Sequence, residues 1–174
     1  YEFLPIYAFG GKSVKFFPSA LPHRCFCDTL SPDNEQRSGS MTDQERTDFI
    51  FRTVNTPHQF SYENGITVTH VEPGYAKGEL VVGPNSINPH KNVHGGAMAT
   101  LADTVGGCCA CSRGGVCVTA GSTMEFLRPA SGKKIFCVAT PKKMGRTLSV
   151  IQVVLTNDQD VVVATGTFTF FMMD

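Results

Sequence analysis

The chain has 174 residues, 15 Lys plus Arg against 15 Asp plus Glu, and 41% hydrophobic residues. That length and apolar content can fill the core of one domain, with or without a tail, which excludes wholesale disorder. A formal net charge of zero gives no global pull toward nucleic acid or anionic lipid, so neither is an expected partner; low charge points instead to apolar surface hidden by self-association.

Residues 1–40 carry scattered aromatics, four prolines and no sustained period, and they end in Ser31-Pro32-Asp33-Asn34-Glu35-Gln36-Arg37-Ser38-Gly39-Ser40, which is linker chemistry. They read as an N-terminal extension or linker, with the folded domain over 41–174. Lys12, Lys15 and prolines interrupt the early apolar patches, and no basic stretch precedes them, which is a poor match to a signal peptide. No apolar run reaches the roughly 18 residues of a membrane span. A cytoplasmic location is expected, or an organelle matrix in a eukaryote.

Met41 opens a segment that looks like an ordinary protein start. Thr42 with Glu45 forms a capping-box pattern, which predicts a helix over about 43–55, stopped by Pro57. Strand-like runs follow at about 65–72 and 75–83, separated by Pro73-Gly74. A polar loop, Pro84 to Val93, leads into a helix over about 95–111. Four more strands are expected near 116–128, 133–142, 147–156 and 161–172. In the last, positions 165, 167 and 169 are all Thr, between apolar or small residues at 164, 166, 168 and 170. That is the period of an antiparallel strand with one buried face. Gaps of hairpin length exclude parallel βαβ units, and the class is α+β, one antiparallel sheet with one long helix packed on it.

The seven cysteines are odd in number and crowd at Cys108, Cys109 and Cys111, which reads as a reducing compartment rather than a disulfide framework. Cys25 and Cys27 lack the second pair a zinc site needs, so structural thiols and no metal are expected.

The chemistry concentrates in the long helix and the loop before it. Leu101, Val105, Cys108, Ala97 and Met98 share one side at 100° per residue, which should press on the sheet. Asp103 points the other way, among Gly96, Ala99, Gly107 and Ala110. A lone carboxylate on an otherwise uncharged helix is either solvated or functional, and the desolvation cost favours function. Gly95 and Gly96 are either a flexible helix entry or bare N–H donors for a carbonyl or oxyanion. Asn88 and His94 read on their own as loop hydrogen-bonding residues.

Together, Asn88-Pro89-x4-His94-Gly95-Gly96-x6-Asp103, then Phe126-Leu127-Arg128-Pro129-Ala130 and Gly145-Arg146-Thr147, resemble the hotdog-fold acyl-CoA thioesterases of the PaaI type, over about residues 60–172. The resemblance implies a hotdog fold, with the sheet wrapped around a central helix, and hydrolysis of acyl-CoA without metal or cofactor, coenzyme A being part of the substrate. By position, Asp103 would be the general base or nucleophile and the Gly95 N–H would polarise the thioester carbonyl. Asn88 and His94 would position the thioester and hold the loop. Thr119 would help place the water, with Ser122 and Thr123 as rivals. Gly96, Arg128, Pro129, Gly145 and Arg146 would contact substrate; the arginines are either partners of coenzyme A phosphates or surface charges. The loop departs from many relatives at His90 and Lys91, which read as solvated rather than coenzyme-binding. Phe60, Tyr62, Met98 and Phe126 either line an acyl tunnel or fill core.

Gly95 and Asp103 stand eight residues apart on one helix, about 12 Å along its axis, too far to serve one carbonyl carbon. Two antiparallel helices across a two-fold axis resolve this, so a homodimer with shared sites is expected, and family members often pair dimers into tetramers. The alternatives are a non-catalytic acyl-CoA-binding hotdog protein and a hotdog dehydratase or hydratase. The first has no need of a base; the second lacks a glutamate converging on His94.

Overall fold

Thr42 Oγ1 accepts the Glu45 N–H at 3.2 Å while the Glu45 carboxylate accepts the Thr42 N–H at 2.9 Å. This reciprocal cap opens α1 (Asp43–Val54) as the sequence pattern predicts. The computed structural model describes residues 41–173; the extension expected at 1–40 lies outside the described residues. Asn55 closes α1 and ties it to the sheet. Its side chain donates to the Val68 carbonyl at 2.8 Å and accepts the Val68 N–H at 2.9 Å, standing in for a neighbouring strand. A single helical turn follows, α2 (Phe60–Glu63), which sequence periodicity missed because four residues carry no period.

The sheet has six strands: β1 (Ile66–Glu72), β2 (Tyr75–Val81), β3 (Val116–Phe126), β4 (Lys134–Met144), β5 (Leu148–Asn157) and β6 (Val162–Met173). Their order is β1-β2-β4-β5-β6-β3, with every neighbouring pair antiparallel. All six were expected from the sequence, with ends displaced by two residues or fewer. The non-sequential step is β3, which leaves the end of α3 (Gly95–Cys111) and pairs with β6 at the far edge. The chain thus enters α3 from the β2 side of the sheet and leaves it on the β6 side, so the helix lies across the sheet and packs against every strand. This is the hotdog arrangement.

Burial of apolar surface holds the two layers together. Leu101, Ala102 and Val105 of α3 are fully buried against Ile135, Ile151, Val153 and Phe170. Close approach is possible because Gly78 of β2 faces the helix. A Cβ there would lie 2.6 Å from Val105 Cγ2. On β6, residues 164, 166, 168 and 170 are buried and the interleaved threonines partly exposed, the alternation anticipated. Ser112 fastens the end of α3: its hydroxyl donates to the Cys109 carbonyl at 2.7 Å and accepts the Gly74 N–H at 2.8 Å. The chain then reverses through Gly114 and Gly115, at φ +121° and +74°, a left-handed region in which a side chain would be strained.

Candidate active site on the central helix

Two groups of site residues lie on α3, one at its N-terminus and one at its middle. The N-terminal group starts in the loop from Ile87 to Val93, which are joined by an antiparallel bridge. Asn88 Oδ1 accepts the N–H of His90 at 2.9 Å and of Asn92 at 3.1 Å. Asn88 therefore holds the loop, and its Nδ2 donates to no described residue. Lys91 sits at φ 64° inside this turn, and His90 and Lys91 are exposed, consistent with solvated loop positions. The Val93 N–H donates to the Ala130 carbonyl at 2.8 Å, so the segment containing Arg128 and Pro129 closes over the loop.

His94 is the N-cap of α3. Its Nδ1 accepts the Gly96 N–H at 2.8 Å, which places the imidazole proton on Nε2. Gly96 therefore has no N–H left for a ligand. Gly95, the first helical residue, has no acceptor for its N–H among the described residues, as helix geometry requires. The Phe126 ring covers the same turn; a Cβ on Gly95 would stand 3.4 Å from it. The helix dipole adds positive potential at this donor.

The second group is Asp103 with Thr119. Thr119 Oγ1 donates to Asp103 Oδ1 at 2.6 Å. Sheet register explains why Thr119 reaches the helix. Thr119 pairs with Phe170, whose ring packs 3.2 Å from a Cβ built on Gly106, and cross-strand partners share a face. The bulge between Thr119 and Gly121 resets the alternation. It leaves Ser122, paired with buried Phe168, on the helix side and Thr123 on the other. Neither Ser122 nor Thr123 bonds Asp103. Asp103 Oδ2 has no hydrogen-bond donor among the described residues.

Part of the small-residue stripe beside Asp103 has a local explanation. Gly107 gives room to Phe170 and Cys117 of the same chain, and Ala110 is buried. Gly96 and Ala99 remain on the more open side.

The two arginines are not brought together. Arg128 follows β3 and donates to the Val162 carbonyl at 2.7 Å. Arg146 lies at the opposite end of the sheet, in the β4–β5 turn, where Gly145 approaches the Leu148 carbonyl. Arg146 and Gly145 border a surface cavity of about 360 Å³ with Arg113, Gly114, Gly115 and Met144. Neither Asp103 nor Gly95 lines it. Phe60 and Phe126 are 72% and 50% exposed, so neither fills core, whereas Met98 is buried. Among the described residues no cluster of three His, Cys, Asp or Glu side chains has the arrangement of a metal site, and no helix is long and apolar enough to cross a membrane.

Residues 90–164 match the model of the thioesterase superfamily. The acyl-coenzyme A thioesterase PaaI of Escherichia coli is 30% identical over 101 residues, which cover 58% of this chain and 72% of that protein. A Streptococcus mutans protein whose structure was solved bound to acetyl CoA superposes with a TM-score of 0.62 at 28% identity, over 68% of this chain and 97% of the other. The zebrafish thioesterase superfamily member 2 superposes with a TM-score of 0.66 at 27% identity, over 77% and 100%. The fold, the His94-Gly95-Gly96 helix entry, the lone carboxylate of Asp103 and these matches converge: the chain belongs to the thioesterase superfamily, in its hotdog-fold, PaaI-type branch.

Proposed function

We propose that this chain hydrolyses acyl-CoA thioesters to the free acid and coenzyme A, as a homodimer whose two active sites are each built from both subunits. The observation that carries the reading is the pairing of Thr119 Oγ1 with Asp103 Oδ1 at 2.6 Å, which fixes the carboxylate and leaves Oδ2 to accept a proton from water. In this mechanism the Asp103 carboxylate takes a proton from water as the oxygen attacks the thioester carbon. The developing oxyanion is held by the Gly95 N–H at the positive end of the helix. Asn88 Nδ2, left without a partner by the loop, adds a second donor to the thioester. The tetrahedral intermediate collapses by breaking the C–S bond, and the coenzyme A thiolate leaves. His94 keeps the Gly95 donor aimed by capping the next amide.

A distance and an edge support the dimer. The donor and the base are about 12 Å apart along α3, so one site draws them from two helices. β3 is an 11-residue edge strand with Val116, Val118 and Phe126 all at least 44% exposed. An edge this long and apolar is normally covered, and pairing with a second copy of β3 would cover it while bringing two α3 helices side by side. A dimer of dimers is the further expectation. Relatives solved with acetyl CoA or coenzyme A support a coenzyme A thioester as the substrate class.

Thiol release from a panel of short-chain, long-chain and aromatic acyl-CoAs tests the reading. Hydrolysis of at least one supports it. Tight binding of all with no thiol released would make the protein a binder, and conversion of a 3-hydroxyacyl thioester to its unsaturated product would make it a dehydratase.

A further inference from the structure

The turn that carries the chain from α3 into β3 brings two thiols together. Cys111, in the last residue of the helix, and Cys117, second in the strand, have sulfurs 3.4 Å apart. Both are partly exposed. The other described cysteines, Cys108, Cys109 and Cys137, are buried. Cys117 points onto the helix: its sulfur also lies 3.8 Å from the Gly107 carbonyl. The five residues between the two thiols include Gly114 and Gly115, so the segment can move without straining a side chain.

We infer that Cys111 and Cys117 form a reversible dithiol–disulfide pair, a modification site for hydroperoxides whose oxidation reaches the Asp103–Thr119 contact. The sulfurs must close from 3.4 Å to the roughly 2.05 Å of a disulfide, about 1.4 Å of movement, which rotation of the two side chains and a small shift of β3 supply. The environments of the two thiols differ. The Cys111 S–H donates to the Cys117 sulfur at 3.4 Å and the Cys117 S–H to the Gly107 carbonyl at 3.8 Å; this hydrogen-bonded partnership with Cys117 holds the Cys111 thiol below its ordinary range. Cys117 is pushed up by that same partnership, by burial and by neighbouring groups including Asp103. The Gly107 carbonyl holds the Cys117 proton, which leaves Cys111 as the attacking thiolate and Cys117 as the resolving thiol.

The chemistry balances. The Cys111 thiolate attacks one peroxide oxygen; the S–O bond forms, the O–O bond breaks, and the hydroxide that leaves takes up a proton. Cys111 is now a sulfenic acid. The Cys117 sulfur attacks the Cys111 sulfur, the S–S bond forms and the S–O bond breaks. The hydroxyl leaves with the Cys117 proton as water. Two thiols and one hydrogen peroxide give one disulfide and two waters, and a dithiol reductant reverses the change by exchange.

The link to activity rests on the proposed role of Asp103. Cys117 and Thr119 are two residues apart on one strand and share its helix-facing side. Drawing Cys117 toward the helix end displaces Thr119 from the 2.6 Å contact that fixes the carboxylate.

The test treats the full chain with hydrogen peroxide, then alkylates it and digests it with trypsin. Cleavage after Arg113 separates the two cysteines, into peptides 92–113 and 114–133. The expected result is these two peptides joined, two hydrogens lighter than their sum, with fragmentation placing the bond at Cys111. The link is lost in Cys111→Ser and in Cys117→Ser, and Cys117→Ser accumulates a sulfenic acid at Cys111 that dimedone traps. A bond placed instead at Cys108 or Cys109, or oxidation of Cys111 to sulfinic acid with no cross-link in the wild type, overturns the pair. The activity arm is separate. The cross-linked protein should turn over acyl-CoA about tenfold or more slowly, recover with dithiothreitol, and Cys111→Ser should keep its rate in peroxide. A cross-link with unchanged turnover overturns the coupling alone, and a reduced protein without hydrolysis counts against the thioesterase reading, not the dithiol.

Discussion

Thr119 and Asp103 form the contact on which the proposed chemistry turns, and its two halves have separable roles. Asp103→Asn keeps the shape and the hydrogen-bond acceptor but removes the base, so kcat should fall by about 10²-fold or more with KM little changed. Near wild-type turnover in Asp103→Asn would remove Asp103 from the mechanism. Thr119→Val keeps the volume and removes only the donor, so it should lower kcat by a smaller factor, about tenfold, and Thr119→Ser should restore most of it. Equal rates for the Val and Ser variants would show that the hydroxyl at 2.6 Å does not matter to turnover. The buried thiols make a different prediction at this scale. Burial pushes Cys108 from the ordinary value of 9.0 up to about 12 and Cys109 up to about 11. An unfolded chain ionises them near 9, so unfolding releases protons above that pH and these thiols lose their stabilising contribution as pH rises from about 9 to about 11 for Cys109 and to about 12 for Cys108. Melting temperature should drop across this window, and Cys109→Ala should drop less steeply. Parallel curves for the two proteins would show that Cys109 is not held neutral by the fold.

The elements show how much was legible beforehand and why. The helix Gly95–Cys111 could be read from the sequence because a polar loop ends just before it, its interior has the 3.6 period, and a Gly pair follows its end; the capping of its first turn by His94 was not anticipated. The strands were legible because each is bounded by turn residues. The four-residue α2 was not, nor was the placement of β3 beside β6, since pairing order leaves no local mark. The site followed the same division. Asp103 and Gly95 stood out as departures from what a helix needs for packing alone. Thr119 was the first choice from the sequence; what period-two counting does not anticipate is the bulge between Thr119 and Gly121, which turns Ser122 rather than Thr123 toward the helix. The proximity of Cys111 and Cys117 depended on a turn that brings the strand back across the helix end. Gly78 makes the packing of helix on sheet testable. A methyl group there would meet Val105 Cγ2 at 2.6 Å and the Thr67 carbonyl at 2.9 Å, and the latter is backbone that cannot swing aside. Gly78→Ala should cost about 1–3 kcal/mol of stability, read as a lower denaturation midpoint. Val105→Ala in the same chain should recover part of the loss by vacating the Cγ2 position. A neutral Gly78→Ala would mean that α3 sits farther from β2 than this packing requires.

At the scale of the whole molecule, the shared site makes a prediction that neither subunit can satisfy alone. Asn88, His94 and Gly95 stand at one end of α3, and Asp103 with Thr119 about 12 Å along it, so each proposed site takes its donors from one chain and its base from the other. An Asp103→Ala chain and an Asn88→Ala chain are each expected to be nearly inactive. When they are dissociated, mixed in equal amounts and allowed to reassociate, random pairing makes about half of the dimers mixed. Each mixed dimer then holds one doubly damaged site and one intact site, so activity should return to roughly a quarter of wild type. If both groups instead served a site within one chain, every site in the mixture would keep a defect and no activity would return. Chain exchange is verified independently by labelling the two chains differently and measuring mixed dimers by native mass spectrometry. Mixed dimers without activity would sink the shared-site geometry and leave Asp103 and Gly95 to be reconciled within a single chain. Recovery near a quarter would establish the shared site, and the exposed β3 edge is the contact we propose for that dimer. Charged substitution of Val118, on that edge and 49% exposed, should then yield monomers that keep their fold and lose turnover together.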